Sequence, residues 1–88
     1  MKIWLFQFAD QACPLQSARV AAPDRIQACA AMQVMLVALQ LDIALDGARP
    51  RPAEAVVLSY LGEGDYPAAL IISAMSRTGE TVSNEVAR

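Results

Sequence analysis

The 88-residue sequence contains no histidine, and it contains only two cysteines. Without histidine, the chain lacks the side chain most often used as a general base, as the partner of a catalytic nucleophile and as a metal ligand. Cys13 and Cys29 are too few for a disulfide framework or for a zinc site of their own. The sequence therefore predicts a non-enzymatic protein that holds no cofactor or metal and keeps both thiols reduced.

The net charge is also small: seven basic and nine acidic residues give a net charge of −2. This balance predicts no direct binding of nucleic acid and no acidic mimic of nucleic acid. The basic residues that could make polar contacts with a partner are Arg25, Arg49 and Arg51. The first residues lack the charged and apolar regions of a secretory signal, because Asp10 interrupts them, so we expect a cytoplasmic protein.

Hydrophobic residues, in contrast, make up 56% of the chain, above the roughly 45–50% that is typical of soluble domains. A chain of this length buries only about 60–65% of the surface that its unfolded form exposes. Some apolar side chains should therefore remain at the surface, where they favour contact with a partner. Gln33, Gln40 and Asp42 interrupt the most apolar segment, residues 28–45, which is shorter than the about 20 residues of a spanning helix, so we expect no membrane association.

Sequence periodicity predicts four strands and one helix in the order ββαββ. Alternating and β-branched residues predict strands at residues 2–9, 15–21, 55–61 and 68–75. Asp24 can cap a helix that begins at Arg25 and continues to about Leu45, where Gly47 can end it. We expect one α+β domain over residues 1–75, a four-stranded antiparallel sheet with one long helix on one face. Residues 76–88 are polar and are predicted to form a tail.

The stretch "GEGDYP" (residues 62–67) has two glycines but lacks a third glycine and a following helix. A phosphate-binding loop needs the free amides of a helix N-terminus behind it. We therefore expect this stretch to be the turn of a second hairpin, between the last two strands.

The predicted helix has two apolar faces. One stripe, which we expect to face the sheet, follows the helical spacing: it contains Ile26, Ala30, Val34, Val37, Leu41 and Leu45. Arg25, Gln33 and Gln40 are expected on the opposite side. That side also holds a second set of large apolar residues: Met32, Met35, Leu36, Leu39 and Ile43.

A helix on a sheet needs only one apolar stripe, so the second set predicts an interface with a protein partner or with the other copy of a homodimer. The alternatives for this face are coverage by the proline-rich connection or by the tail, ordinary exposure of scattered surface leucines, and a helix whose phase differs slightly from the one assigned here. A small dimeric ligand-binding or regulatory domain, with a pocket between sheet and helix, is the alternative function.

The segment "SARVAAPDRIQACAAM" (residues 17–32) passes from a strand of small residues through a cap into a helix. Together with the ββαββ outline of residues 1–75, it resembles the small phage and mobile-element proteins that inhibit bacterial CRISPR defence. The resemblance implies a protein that binds an effector complex and blocks nucleic-acid access or nuclease recruitment. Many such inhibitors are strongly acidic and this chain is not, and the resemblance assigns no individual residue a role.

Overall fold

The computed structural model describes residues 1–9, 13–41, 44–46, 49–51, 56–79 and 81–82. Within them the chain forms one helix and seven strands. In chain order these are β1 (Lys2–Phe8), β2 (Leu15–Ala22), α1 (Arg25–Ala38), β3 (Ala44–Asp46), β4 (Arg49–Arg51), β5 (Val56–Glu63), β6 (Leu70–Ser76) and β7 (Thr81–Val82).

The four long strands form the predicted antiparallel sheet, and α1 packs on it, so the α+β fold is confirmed. The strand order is β5-β1-β2-β6, and the two-residue strand β7 extends the sheet beyond β6. Strand β7 lies within the segment predicted to be a tail, and it pairs with Ala74 and Met75. Strands β3 and β4 pair only with each other, as a separate small hairpin.

The aromatic residues of β1 form the centre of the core. Trp4, Phe6 and Phe8 point to the side of the sheet that carries the helix, and all three are buried. Strand β1 pairs with β2 on one side and with β5 on the other, so it is a central strand of the sheet. The indole Nε1 of Trp4 donates to the carbonyl oxygen of Ala22 at 3.4 Å.

The stretch at residues 62–67 is not a hairpin turn. Strands β5 and β6 lie on opposite sides of the β1–β2 hairpin, so the connection between them crosses the end of that hairpin. The amide of Gly64 donates to the carbonyl oxygen of Met1 at 2.7 Å, which continues the pairing of β5 with β1. A Cβ at Gly64 would lie 2.6 Å from the ring of Tyr66 and 2.7 Å from Cδ1 of Ile3, so a larger residue here would displace these two side chains.

Asp24 caps the helix as predicted, because its Oδ1 accepts from the amide of Gln27 at 2.8 Å. The predicted end of the helix is wrong: α1 ends at Ala38, well before Leu45. Gln40 adopts a positive φ of 60°. The amide of Gln40 donates to the carbonyl of Val37, and that of Leu41 to the carbonyl of Leu36, each at 2.9 Å.

These two bonds form a Schellman motif, in which the residue after the cap is left-handed. Glycine usually occupies that position, which is why the sequence pointed to Gly47 instead. Leu41 packs against the same core as Leu36, a contact that often accompanies this motif. The early end of α1 releases residues 44–46 to form β3.

Arg77 fastens the connection between β1 and β2. Its amide donates to the carbonyl of Pro14 at 3.0 Å, and its Nε donates to the carbonyl of Cys13 at 2.8 Å. A terminal guanidinium nitrogen also donates to the carbonyl of Phe8. The planar guanidinium thus satisfies carbonyl groups at both ends of the connection.

Candidate functional site

Helix α1 presents one apolar side to the sheet and another to solvent. The buried residues of the helix are Ala28, Cys29, Met32, Met35 and Leu36. On the other side, Ile26, Ala30, Val34 and Val37 are exposed. The sequence correctly indicated two apolar faces, but it assigned them the wrong way round.

The residues predicted to contact a partner therefore lie mostly in the core. Met32, Met35 and Leu36 have no exposed surface, and Leu39 is partly buried against the same cluster. Ile43, the fifth predicted residue, lies outside the described residues. The predicted exposure of the three buried residues is wrong because their long side chains fill the space between helix and sheet.

The stripe predicted to face the sheet forms the surface instead. Ile26 is 60% exposed, Val34 is 56% exposed and Val37 is 65% exposed. Three large aliphatic side chains on one side of a 14-residue helix form a contiguous apolar patch. We call Ile26, Ala30, Val34 and Val37 the outer face of α1.

A groove of about 540 Å³ runs along the outer face. Its lining consists of the outer face together with Cys29, Gln33 and Leu45. Leu45 belongs to β3, so this strand contributes one side of the groove, and the helix supplies the other lining residues. Because the helix ends at Ala38, Leu45 reaches the groove from a separate strand.

Gln33 connects the two walls of the groove. Its Oε1 accepts from the backbone amide of Leu45 at 2.6 Å, which holds β3 beside the helix. Gln33 follows Ile26 by seven residues, or about two helical turns, so it lies on the same side as the outer face. The expectation that Gln33 lies opposite Ile26 was therefore wrong.

Arg25, one of the predicted polar contacts, immediately precedes Ile26 and is exposed, but it does not line the groove. Its guanidinium carbon lies 5.8 Å from the centroid of the Trp4 ring, a cation–π distance. Arg49 and Arg51, the other predicted polar contacts, belong to β4, and the structure does not describe their side chains.

Cys29 forms part of the groove lining, but its side chain is buried. Burial raises the pKa of the Cys29 thiol above its ordinary value, and the positive charge of Arg25 opposes part of that effect. The thiol therefore stays protonated near neutral pH and is a poor nucleophile. Cys13 is also a buried free thiol.

An aromatic pair connects β1 with the neighbouring edge strand β5. The ring centroids of Trp4 and Tyr60 are 5.4 Å apart with the planes tilted by 60°. The Tyr60 hydroxyl donates to Oε1 of Glu63 at 3.1 Å. Desolvation, this hydrogen bond and the charge of Glu63 together raise the pKa of Tyr60.

The face of the sheet opposite the helix is also partly apolar. Ile3 and Leu5 are half-buried there, and Val57 and Leu61 are about half exposed, at 50% and 48%. Ile71 of β6, in contrast, is buried in the core. A register shift between β2 and β6, next to Val20, changes which residues of β6 face the helix.

No family model, curated protein or solved structure matches this chain. Among the described residues, no helix is both long enough and apolar enough to cross a membrane. Because the comparisons found no match, the candidate site is defined only by the exposure and the shape of the groove along the outer face of α1.

Proposed function

We propose that this chain is a non-enzymatic protein-binding module whose binding site is the groove along the outer face of α1. The observation that carries the proposal is the exposure of Ile26, Val34 and Val37, each more than half exposed, beside an open groove. Except for Cys29 and Gln33, the lining is aliphatic, which suits burial against another apolar surface.

The shape of the site favours a different protein over a second copy of this chain. A two-fold interface brings the same patch together from both copies, so the patch must complement itself. A groove does not complement another groove, because the space inside both stays empty. The sequence predicted a homodimer through the other side of the helix, where Met35 and Leu36 are buried, and a homodimer through the outer face is not proposed.

The occupant that fits is the apolar side of an amphipathic helix or a short extended segment with aliphatic side chains. Arg25 immediately precedes Ile26, which lines the groove, and is exposed. An acidic residue beside the partner's apolar anchors would pair with it. We propose that this partner belongs to a bacterial defence complex, as the resemblance to CRISPR inhibitors implies, and that binding inhibits the complex.

This function can be tested in bacterial strains whose CRISPR system restricts growth of a phage. Expression of the wild-type chain is expected to restore plaque formation, and the double variant Val34→Asp/Val37→Asp is expected not to. Both positions are exposed, so the acidic side chains disrupt the surface without entering the core. Met75→Asp is the matched control, because Met75 is 43% exposed and lies on the sheet.

Two results would overturn the proposal. If the double variant protects the phage as well as the wild type does, the outer face is not the binding surface. If the wild type protects the phage in none of a panel of CRISPR types, inhibition of this defence is wrong. A photo-crosslinking residue at Ala30 then shows whether another protein occupies the groove, with the same residue at Met75 as the control.

The volume of the groove supports a second candidate function, the binding of a small apolar ligand. Pockets for small molecules are about 300–1,000 Å³, and this groove measures about 540 Å³. A ligand with an alkyl chain and a carboxylate would match the aliphatic lining and Arg25. Decanoate should then raise the melting temperature of the wild type but not of the double variant, and an equal or absent shift in both excludes this function.

A further inference from the structure

The two edges of the sheet are built very differently. Strand β5 forms one edge and is eight residues long, whereas the other edge ends with the two-residue strand β7. Strand β5 pairs with β1 on its inner side. Among the described residues, no strand is hydrogen-bonded to its outer side.

Sheet edges in monomeric proteins are normally protected from pairing by proline, lysine, inward-facing charge or very short strands. The sequence of β5, VVLSYLGE, contains no proline and no basic residue, and its one charge is Glu63 at the end. Val57, Tyr60 and Leu61 are each about half exposed, between 48% and 51%. The edge thus lacks the usual chemical protection.

The regular part of this edge is long enough to pair. Residues 56–60 are in uninterrupted register with residues 8–4 of β1. The register shift falls beyond them, where Gly62 has a φ of 137°. A bulge twists an edge away from a partner, but here it affects only the Glu63 end.

We infer that β5 pairs antiparallel with β5 of a second copy, so that two sheets become one. A two-fold axis perpendicular to the sheet reverses the strand direction, and antiparallel pairing of identical strands complements itself, as a two-fold interface requires. In this arrangement, with Ser59 opposite its copy, the two Glu63 side chains lie at opposite ends of the pair, eight residues or about 26 Å apart. A parallel arrangement would place them side by side.

Self-association also fits the side chains around this edge. The half-buried Leu5 of β1 and the exposed Val57 and Leu61 of β5 belong to the sheet face opposite the helix. Pairing of β5 with its copy places the two sets next to each other and buries apolar area that one copy leaves in water. This inference does not rest on the proposed function, because no residue of β5 lines the groove.

Light scattering coupled to size exclusion, over the micromolar to millimolar range, tests the inference. The wild type is expected to dimerise as its concentration rises. Val57→Lys and Leu61→Lys each place a lysine at the edge, and they should raise the dissociation constant of the dimer by about tenfold or more. Met75→Lys, an exposed position on β6, should leave the dissociation constant unchanged.

Cross-linking locates the interface independently of these charge changes. Ser59→Cys places a thiol in the middle of the proposed pair, and a short bismaleimide should link it to its copy. Ser73→Cys, a half-buried serine of β6, is the matched control and should not cross-link between copies. The native thiols of Cys13 and Cys29 are buried and do not compete.

Three results would overturn the inference. The first is a wild type that stays monomeric across the whole range. The second is a dimer that both lysine variants leave intact, or equal cross-linking through the control cysteine. The third is a dimer that dissociates on Val34→Asp, because the helix would then form the interface.

Discussion

The two sides of α1 are almost equally apolar, yet they have opposite environments. Leu36 has no exposed surface and its neighbour Val37 is 65% exposed. The buried side carries two methionines and a leucine, whereas the exposed large residues are β-branched. Long flexible side chains can reach the sheet and fill irregular space between the two layers, whereas short branched side chains cover less of it.

Hydrophobicity alone therefore does not indicate which side of a helix with two apolar sides faces the core. The position of the polar residues carries the missing information. Gln33 lies on the side of Ile26, two turns further along, and its side chain reaches the backbone of Leu45. A glutamine within one stripe was the signal that this stripe borders solvent.

The largest effect on stability is expected at Leu36, whereas its neighbour Val37 should show only a small one. Leu36→Ala removes a fully buried side chain and should lower the free energy of unfolding by about 2–5 kcal/mol. Val37→Ala should change it by less than about 0.5 kcal/mol, since alanine favours the helix and little packing is lost. Urea unfolding followed by circular dichroism measures both, and equal losses would contradict the two-sided helix.

Much of the fold followed from residue patterns, whereas the candidate site did not. The four long strands were predictable because β-forming residues bounded by turns identify them, as in β1. The order of the strands was not, since it depends on pairing between segments far apart in the chain. The groove was missed because its wall at Leu45 is a strand where the sequence predicted helix.

A smaller effect on stability is expected at Gln40, which follows the end of α1. This prediction tests why the helix ends where it does. Gln40 has a φ of 60°, a conformation that glycine adopts without steric cost. Gln40→Gly should therefore raise the free energy of unfolding by about 0.5–1 kcal/mol, whereas Ala38→Gly, inside the helix, should lower it by a similar amount. Thermal and urea unfolding distinguish the two signs, and a loss in both variants would show that the helix does not end at Ala38.

The smallest expected effect leaves stability nearly unchanged and compares Cys29 with a cysteine placed at Ala30. Cys29 is buried, and Ala30 is the exposed next residue. Iodoacetamide at neutral pH should modify Ala30→Cys quickly and Cys29 only as the protein unfolds, because the thiolate is the reactive form and burial raises the pKa of Cys29. Peptide mapping by mass spectrometry separates these two sites from Cys13.

The pH dependence of folding stability gives a second measure of the burial of the Cys29 thiol. A pKa that is raised in the folded state means that the unfolded chain releases the Cys29 proton more readily. The stabilisation is therefore complete below the ordinary thiol pKa of about 8.5, and it is lost as pH rises through the higher folded value. The unfolding midpoint of the wild type should fall over this window by more than that of Cys29→Ala, which retains every other titrating group. Equal falls in the two proteins, together with rapid native labelling of Cys29, would mean that this side of the helix is open to water and that the two faces of α1 are not distinct.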